Sequence, residues 1–167
     1  MTDLPGLCGA WRLRSSFLRN VETDERIDPF GAQPNGVLIL LPGGRMAAML
    51  TPEGQEAPAD EAEEATAFRR MIAYSGLYEL EPPDRFVTTV DVAWFQPWVG
   101  ARQARSFTLN GDELNIISDP TRIPLTGDAS VVGVLSWVRE GAPASQDWCG
   151  SDRQRQPPVP WSDSAKS

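Results

Sequence analysis

Gln103, Arg105 and Phe107 recur at every second position of a run, Arg102 to Leu109, that reads as a β-strand. Residues two apart on a strand share a face, so an inward Phe107 and Leu109 carry Arg105 and Gln103 in with them. A guanidinium on an interior face costs several kcal/mol unless something compensates it. Two kinds of partner can do so. One is an oxygen of a bound molecule (a carboxylate, an enolate or a carbonyl) gripped by the planar fork of the arginine. The other is internal: a carboxylate that closes one end of the fold, or the face of a tryptophan. The residue types weigh these two equally.

Asp91 is the internal carboxylate to consider, on the alternating run Arg85 to Phe95. With Phe86, Thr88, Val90, Val92 and Trp94 inward, Asp91 is solvated; in the other register it lies inside, opposite Arg105. The apolar set favours the first register. Tyr78 shares a face with Leu80, opposite Glu79 and Glu81, and so points in. There its hydroxyl can donate to a carbonyl or act as a weak acid, although a core tyrosine with one satisfied bond is commoner. Arg105 and Tyr78 are therefore the candidate catalytic groups. Gln103, Tyr74, Trp94, Trp98, Met46 and Phe107 are the candidate ligand contacts, with Tyr74 reaching the mouth of the fold from the end of a helix. Met46 lines the interior with Ala48 and Leu50, and Trp98 walls it from the turn Pro97-Trp98-Val99-Gly100.

The sequence contains no histidine. Ser-His-Asp and Cys-His nucleophile systems cannot be built, nor can histidine-ligated iron, copper or zinc. No metal or cofactor is expected. Cys8 and Cys149 are too few for a zinc site or a disulfide framework. They flank the strands so that a bridge at one rim is possible, but two free thiols are expected in a reducing compartment. The 167 residues carry 23 acidic against 15 basic side chains, a net charge of −8. Nucleic acid and anionic membrane surfaces both want the opposite sign. Met1 to Leu7 has neither a basic start nor an apolar run, so no signal peptide is read there and a cytoplasmic chain is expected.

The elements that must position these side chains are mostly strands. Gly9-Ala10-Trp11-Arg12-Leu13 opens the first, residues 9–20, with Trp11, Leu13, Ser15 and Phe17 on one side and Arg12, Arg14 and Ser16 on the other. Further strands are read at 36–41, 45–50, 77–81, 85–95, 102–109, 113–118 and 130–139. Pro42-Gly43-Gly44 and Asn110-Gly111-Asp112 mark hairpin turns. One helix is expected from Asp60, an N-cap ahead of Glu61, Glu63 and Glu64, to about Tyr74, with Gly76 as its stop. Eight strands, a Gly-x-Trp opening and a Trp-x-Arg ending (Trp137, Arg139) point to a small closed all-β barrel with the helix over one end. Residues 1–8 form an extension, 9–140 the barrel, and 141–167 a disordered Pro-, Ser- and Gln-rich tail in which Trp148 and Trp161 are candidate anchors.

In order along the chain, these pieces resemble the lipocalin-like domain family of bacteria and fungi. The resemblance rests on residues 9–13, Asp28-Pro29-Phe30-Gly31, Gly36 through the Pro42-Gly43-Gly44 turn to Met46, and Phe68 to Tyr78. It continues through Phe95-Gln96-Pro97-Trp98-Val99-Gly100, Gln103 to Gly111 and Leu135 to Arg139. The resemblance implies an eight-stranded antiparallel up-and-down barrel around an apolar cavity. It also implies structural roles for Trp11, closing the barrel bottom, and Arg139, stacked on it. It does not imply an activity.

Three functions follow as expectations. The first is binding of a small hydrophobic molecule in the cavity. The second is a cofactor-free cyclase or isomerase acting on a polyketide-like natural-product intermediate, with Arg105 or Tyr78 stabilising developing negative charge; hydrolysis is disfavoured. The third is a protein-interaction barrel, for which only the tail argues.

Overall fold

The computed structural model describes residues 6–141. Trp148, Cys149, Trp161 and the tail lie outside them, as does any bridge from Cys8 to Cys149. The strands are β1 Gly9–Asn20, β2 Arg26–Ile27, β3 Asn35–Leu40, β4 Arg45–Thr51 and β5 Ile72–Glu81, then β6 Arg85–Ala93, β7 Arg102–Asn110, β8 Glu113–Ser118 and β9 Val131–Arg139. All pairings are antiparallel, and successive strands from β3 to β9 are neighbours. β9 returns along β1, from Trp11↔Arg139 to Asn20↔Val131, which closes an eight-stranded up-and-down barrel. The two-residue β2, inside a stretch read as loop, extends the sheet on the far end of β1 beyond β3.

The helix α1 is shorter than expected, Glu61–Arg69. Its start is as read: the Asp60 side chain accepts from Glu63 N at 2.9 Å, with three glutamates in the first turn. Its end is not at Tyr74, because Ile72, Ala73 and Tyr74 pair with Leu50, Met49 and Ala48 of β4. The helix buries none of its own residues, so nothing holds further turns against the gain of extending the sheet. It meets the barrel near Trp94, whose Nε1 donates to Phe68 O at 3.2 Å. No helix among the described residues is long and apolar enough to cross a membrane.

Two bulges reset the expected alternation. In β1 the register with β9 shifts between Leu13 and Ser15. Trp11 and Leu13 stay inside, but Ser16 and Leu18 follow them in, while Ser15 is exposed. Phe17 therefore faces outward, under the Arg26 guanidinium at 4.1 Å, and not inward as alternation from Trp11 requires. The second bulge lies in β6, where Ser75 pairs with Val92 but Gly76 with Val90, leaving Asp91 as the extra residue. Val92 is turned out and is 64% exposed, against its expected inward place. Gly76 admits the bulge, since a Cβ there would sit 2.2 Å from Thr89 O. Asp91 is outside and ion-paired to Arg45 at 2.6 Å, so it is not the partner of Arg105.

One end of the barrel is sealed. Trp11 is fully buried, its Nε1 donating to Leu7 O at 3.0 Å. Arg139 lies over its ring at 4.1 Å and donates to the carbonyls of Gly6 and Cys8 and to Asp112. The Trp11–Arg139 pair thus has the structural role the sequence implied.

Candidate functional site

The fully buried apolar residues of the barrel fall into two clusters, bridged by the half-buried Ile72 and Tyr74. A first cluster centres on Trp11, Leu40, Leu114 and Phe107 at the sealed end; a second, Leu18, Val90, Trp98, Ile123 and Val131, lies toward the other. Between them lies a cavity of about 70 Å³ bounded by residues of both. That is room for roughly five waters, well below the ~300–1,000 Å³ of sites for drug-sized ligands. Its wall is mainly aliphatic and aromatic, including Leu18, Leu50, Ile116 and Leu135.

Every buried polar residue among those described belongs to one band across four strands, β1, β6, β7 and β8: Ser16, Thr88, Gln103, Arg105 and Ser118. Register places them side by side. Thr88 is directly opposite Gln103, and Arg105 directly opposite Ser118. Ser118 Oγ accepts from Gly133 N at 2.8 Å, and Gly133 is opposite Leu18, one inward position from Ser16. Three of the five, Ser16, Arg105 and Ser118, line the cavity.

Arg105 is 6% exposed. Its Nη1 donates to Gln103 Oε1 at 3.2 Å and to Ala104 O at 2.9 Å. Among the described residues no carboxylate lies within ion-pairing distance of it, although seven other arginines, all more exposed, have one. Among the described residues, then, neither Asp91 nor any other carboxylate serves as the internal partner of Arg105. Gln103 stands beside Arg105 and orients it, off the cavity wall.

Of the other expected contacts, Met46, Tyr74 and Trp98 line the cavity. Tyr74 and Trp98 meet edge to face at 5.2 Å, and Trp98 Nε1 is held by Arg122 O at 3.3 Å. Trp94 meets Trp98 edge to face at 5.0 Å, and Phe107 is buried against Phe86 in the sealed-end cluster; neither is on the wall. Tyr78 points inward as read, but at the sealed end. Its hydroxyl donates to Leu41 O at 2.9 Å, 3.5 Å from Cys8 Sγ, away from the cavity. Among wall residues that carry a polar side-chain atom, four were missed: Ser16, Ser118, Thr121 and Trp137. The alternation Leu114, Ile116, Ser118 carried the signal for Ser118; the β1 bulge hid Ser16. No group of three or more acidic or cysteine side chains that could hold a metal occurs among the described residues.

Comparison with known proteins agrees with this architecture. The model of the lipocalin-like domain matches residues 8–140, nearly all of the described chain. No curated protein matches the chain. A closed eight-stranded barrel, a sealed Trp11–Arg139 end and a match over that span place the chain in the lipocalin-like domain family.

Proposed function

We propose that this barrel binds a small, largely apolar molecule in the cavity between its two core clusters, with Arg105 as the polar contact. One observation carries the reading: three of the five buried polar residues among those described, Ser16, Arg105 and Ser118, line the void, and Gln103 and Thr88 adjoin Arg105 in turn. Hydroxyls and a guanidinium on an otherwise apolar wall cost free energy unless they meet hydrogen-bonding partners, which an occupant with an acceptor group supplies. Cyclisation or isomerisation of such a molecule would use the same cavity. It is the weaker reading, because of the two candidate catalytic groups Tyr78 is committed to Leu41 O and only Arg105 lines the cavity.

The test is calorimetric titration with 1-pentanol, pentanoate and pentylamine, probes of about the cavity's capacity. Ala48 lies on the wall and is buried, so Ala48→Leu fills the space. Saturable binding that this variant abolishes, with its fold retained by circular dichroism, supports the proposal. Absence of saturable binding by all three probes refutes it.

A further inference from the structure

The cavity wall specifies one end of its occupant. We propose that the bound molecule is an anion, a short carboxylate or an equally compact enolate or phenolate, whose charged oxygen sits between the Arg105 guanidinium and the Ser118 hydroxyl. The inference rests on the cavity being a binding site and adds the chemical class of what fills it.

Spare hydrogen-bonding capacity on the wall argues for this. Arg105 uses only Nη1 on the protein, leaving Nε and Nη2 with no acceptor among the described residues. Ser118 stands directly opposite on the neighbouring strand, where paired side chains lie about 5 Å apart. Its oxygen already accepts from Gly133 N, so its proton is the part left to give. Trp137 adds a buried indole N–H with no partner, again a donor. The wall carries no carboxylate that would oppose an anion or attract a cation. A neutral alcohol or ketone could accept one of these bonds but would leave the Arg105 charge uncompensated in an interior of low polarity. An amine would add a second positive charge beside it.

Size limits the rest of the molecule. About 70 Å³ admits a charged head and a few carbons, so the class is a short-chain or compact organic acid and not a long fatty acid.

The three pentyl probes decide it on the wild-type protein at pH 7. Pentanoate should bind about 10- to 100-fold more tightly than 1-pentanol, the worth of a charge-assisted hydrogen bond, and pentylamine should bind most weakly. Arg105→Met should erase the preference for pentanoate over 1-pentanol, and Arg105→Lys should keep part of it. Equal binding of pentanoate and 1-pentanol by wild type, or tightest binding of pentylamine, overturns the anion assignment but leaves the cavity a binding site. Failure of all three probes removes the site itself. The wild-type ranking needs no variant, so it decides even if Arg105→Met does not fold.

Discussion

Arg105→Met, measured without ligand, separates a site residue from a scaffold residue by the sign of its effect on stability. Methionine keeps an unbranched apolar stem in the same space and removes the charge. Two hydrogen bonds go with it. The Ala104 carbonyl keeps its bond from Asp119 N at 3.2 Å, so nothing is orphaned there. Gln103 Oε1 loses its donor, at about 1 kcal/mol. Against this stands the desolvation of a guanidinium that is 6% exposed with no carboxylate in reach among the described residues, several kcal/mol even after relaxation. The expected balance is a gain of about 1–3 kcal/mol. At ~2–4 °C per kcal/mol for a chain of this size, the melting temperature should rise by roughly 2–12 °C. The assay is urea unfolding of the ligand-free protein, followed by tryptophan fluorescence with far-ultraviolet circular dichroism as a second probe. Arg139→Met is the control, because Arg139 is stacked on Trp11 and bonded to two carbonyls, and its loss should cost ~2–4 kcal/mol. If Arg105→Met loses stability on the scale of Arg139→Met, Arg105 belongs to the scaffold and the binding argument fails with it.

Trp11→Ala should lower unfolding free energy by about 3–5 kcal/mol, since a fully buried indole at the sealed end leaves a large void; an unchanged melting temperature would contradict its structural role. Gly133→Ala puts a methyl on the cavity wall in ordinary contact with Leu135 and Ser118, at 3.4 and 3.5 Å. It should leave stability unchanged or raise it by up to ~1 kcal/mol while weakening pentanoate, read by calorimetry. Asp91→Asn removes an exposed ion pair with Arg45 and should cost under about 1 kcal/mol, with pentanoate affinity untouched. The Asp28 carboxyl, hydrogen-bonded by Arg26, should titrate below its usual 3.8 in carbon-detected NMR and return toward it in Arg26→Gln. A depressed folded value means that any stability from this pair is present above the unfolded value and is lost as pH falls through the folded one.

Which side chains face inward was legible wherever strands pair without interruption. On β7, unbroken against both neighbours, Gln103, Arg105 and Phe107 take the side that alternation assigns. On β1 and β6 a single extra residue inverts the pattern, and Phe17 and Val92 end on the wrong face. Nothing local announces either bulge: Arg14 and Asp91 are ordinary polar residues within strands, and the shift is fixed by what the partner strand offers. The helix end failed for a similar reason, because β4 captured Ile72 to Tyr74. Depth along the barrel is a separate coordinate that alternation does not contain. Tyr78 and Arg105 both point in, yet one meets the Leu41 carbonyl at the sealed end and the other the cavity.

That missing coordinate is supplied by strand register, and through it a weak sequence signal becomes a site. Taken singly, Ser16, Thr88, Gln103 and Ser118 are small or neutral residues of a kind found in many interiors. Antiparallel pairing sets Thr88 against Gln103 and Arg105 against Ser118, so they adjoin one another across neighbouring strands of the barrel. Thr88 Oγ1 is buried without a hydrogen-bond partner beside them, and Trp137 Nε1 is likewise buried without one on the cavity wall, farther along β9 toward the sealed end. A fold selected only for stability would have no reason to collect its polar exceptions there, since each costs ~1–3 kcal/mol unmet and hydrophobic replacements were open to it. Small size, a mainly apolar wall and the facing donors of Arg105 and Ser118 are three constraints on the occupant, and a compact organic anion meets all of them.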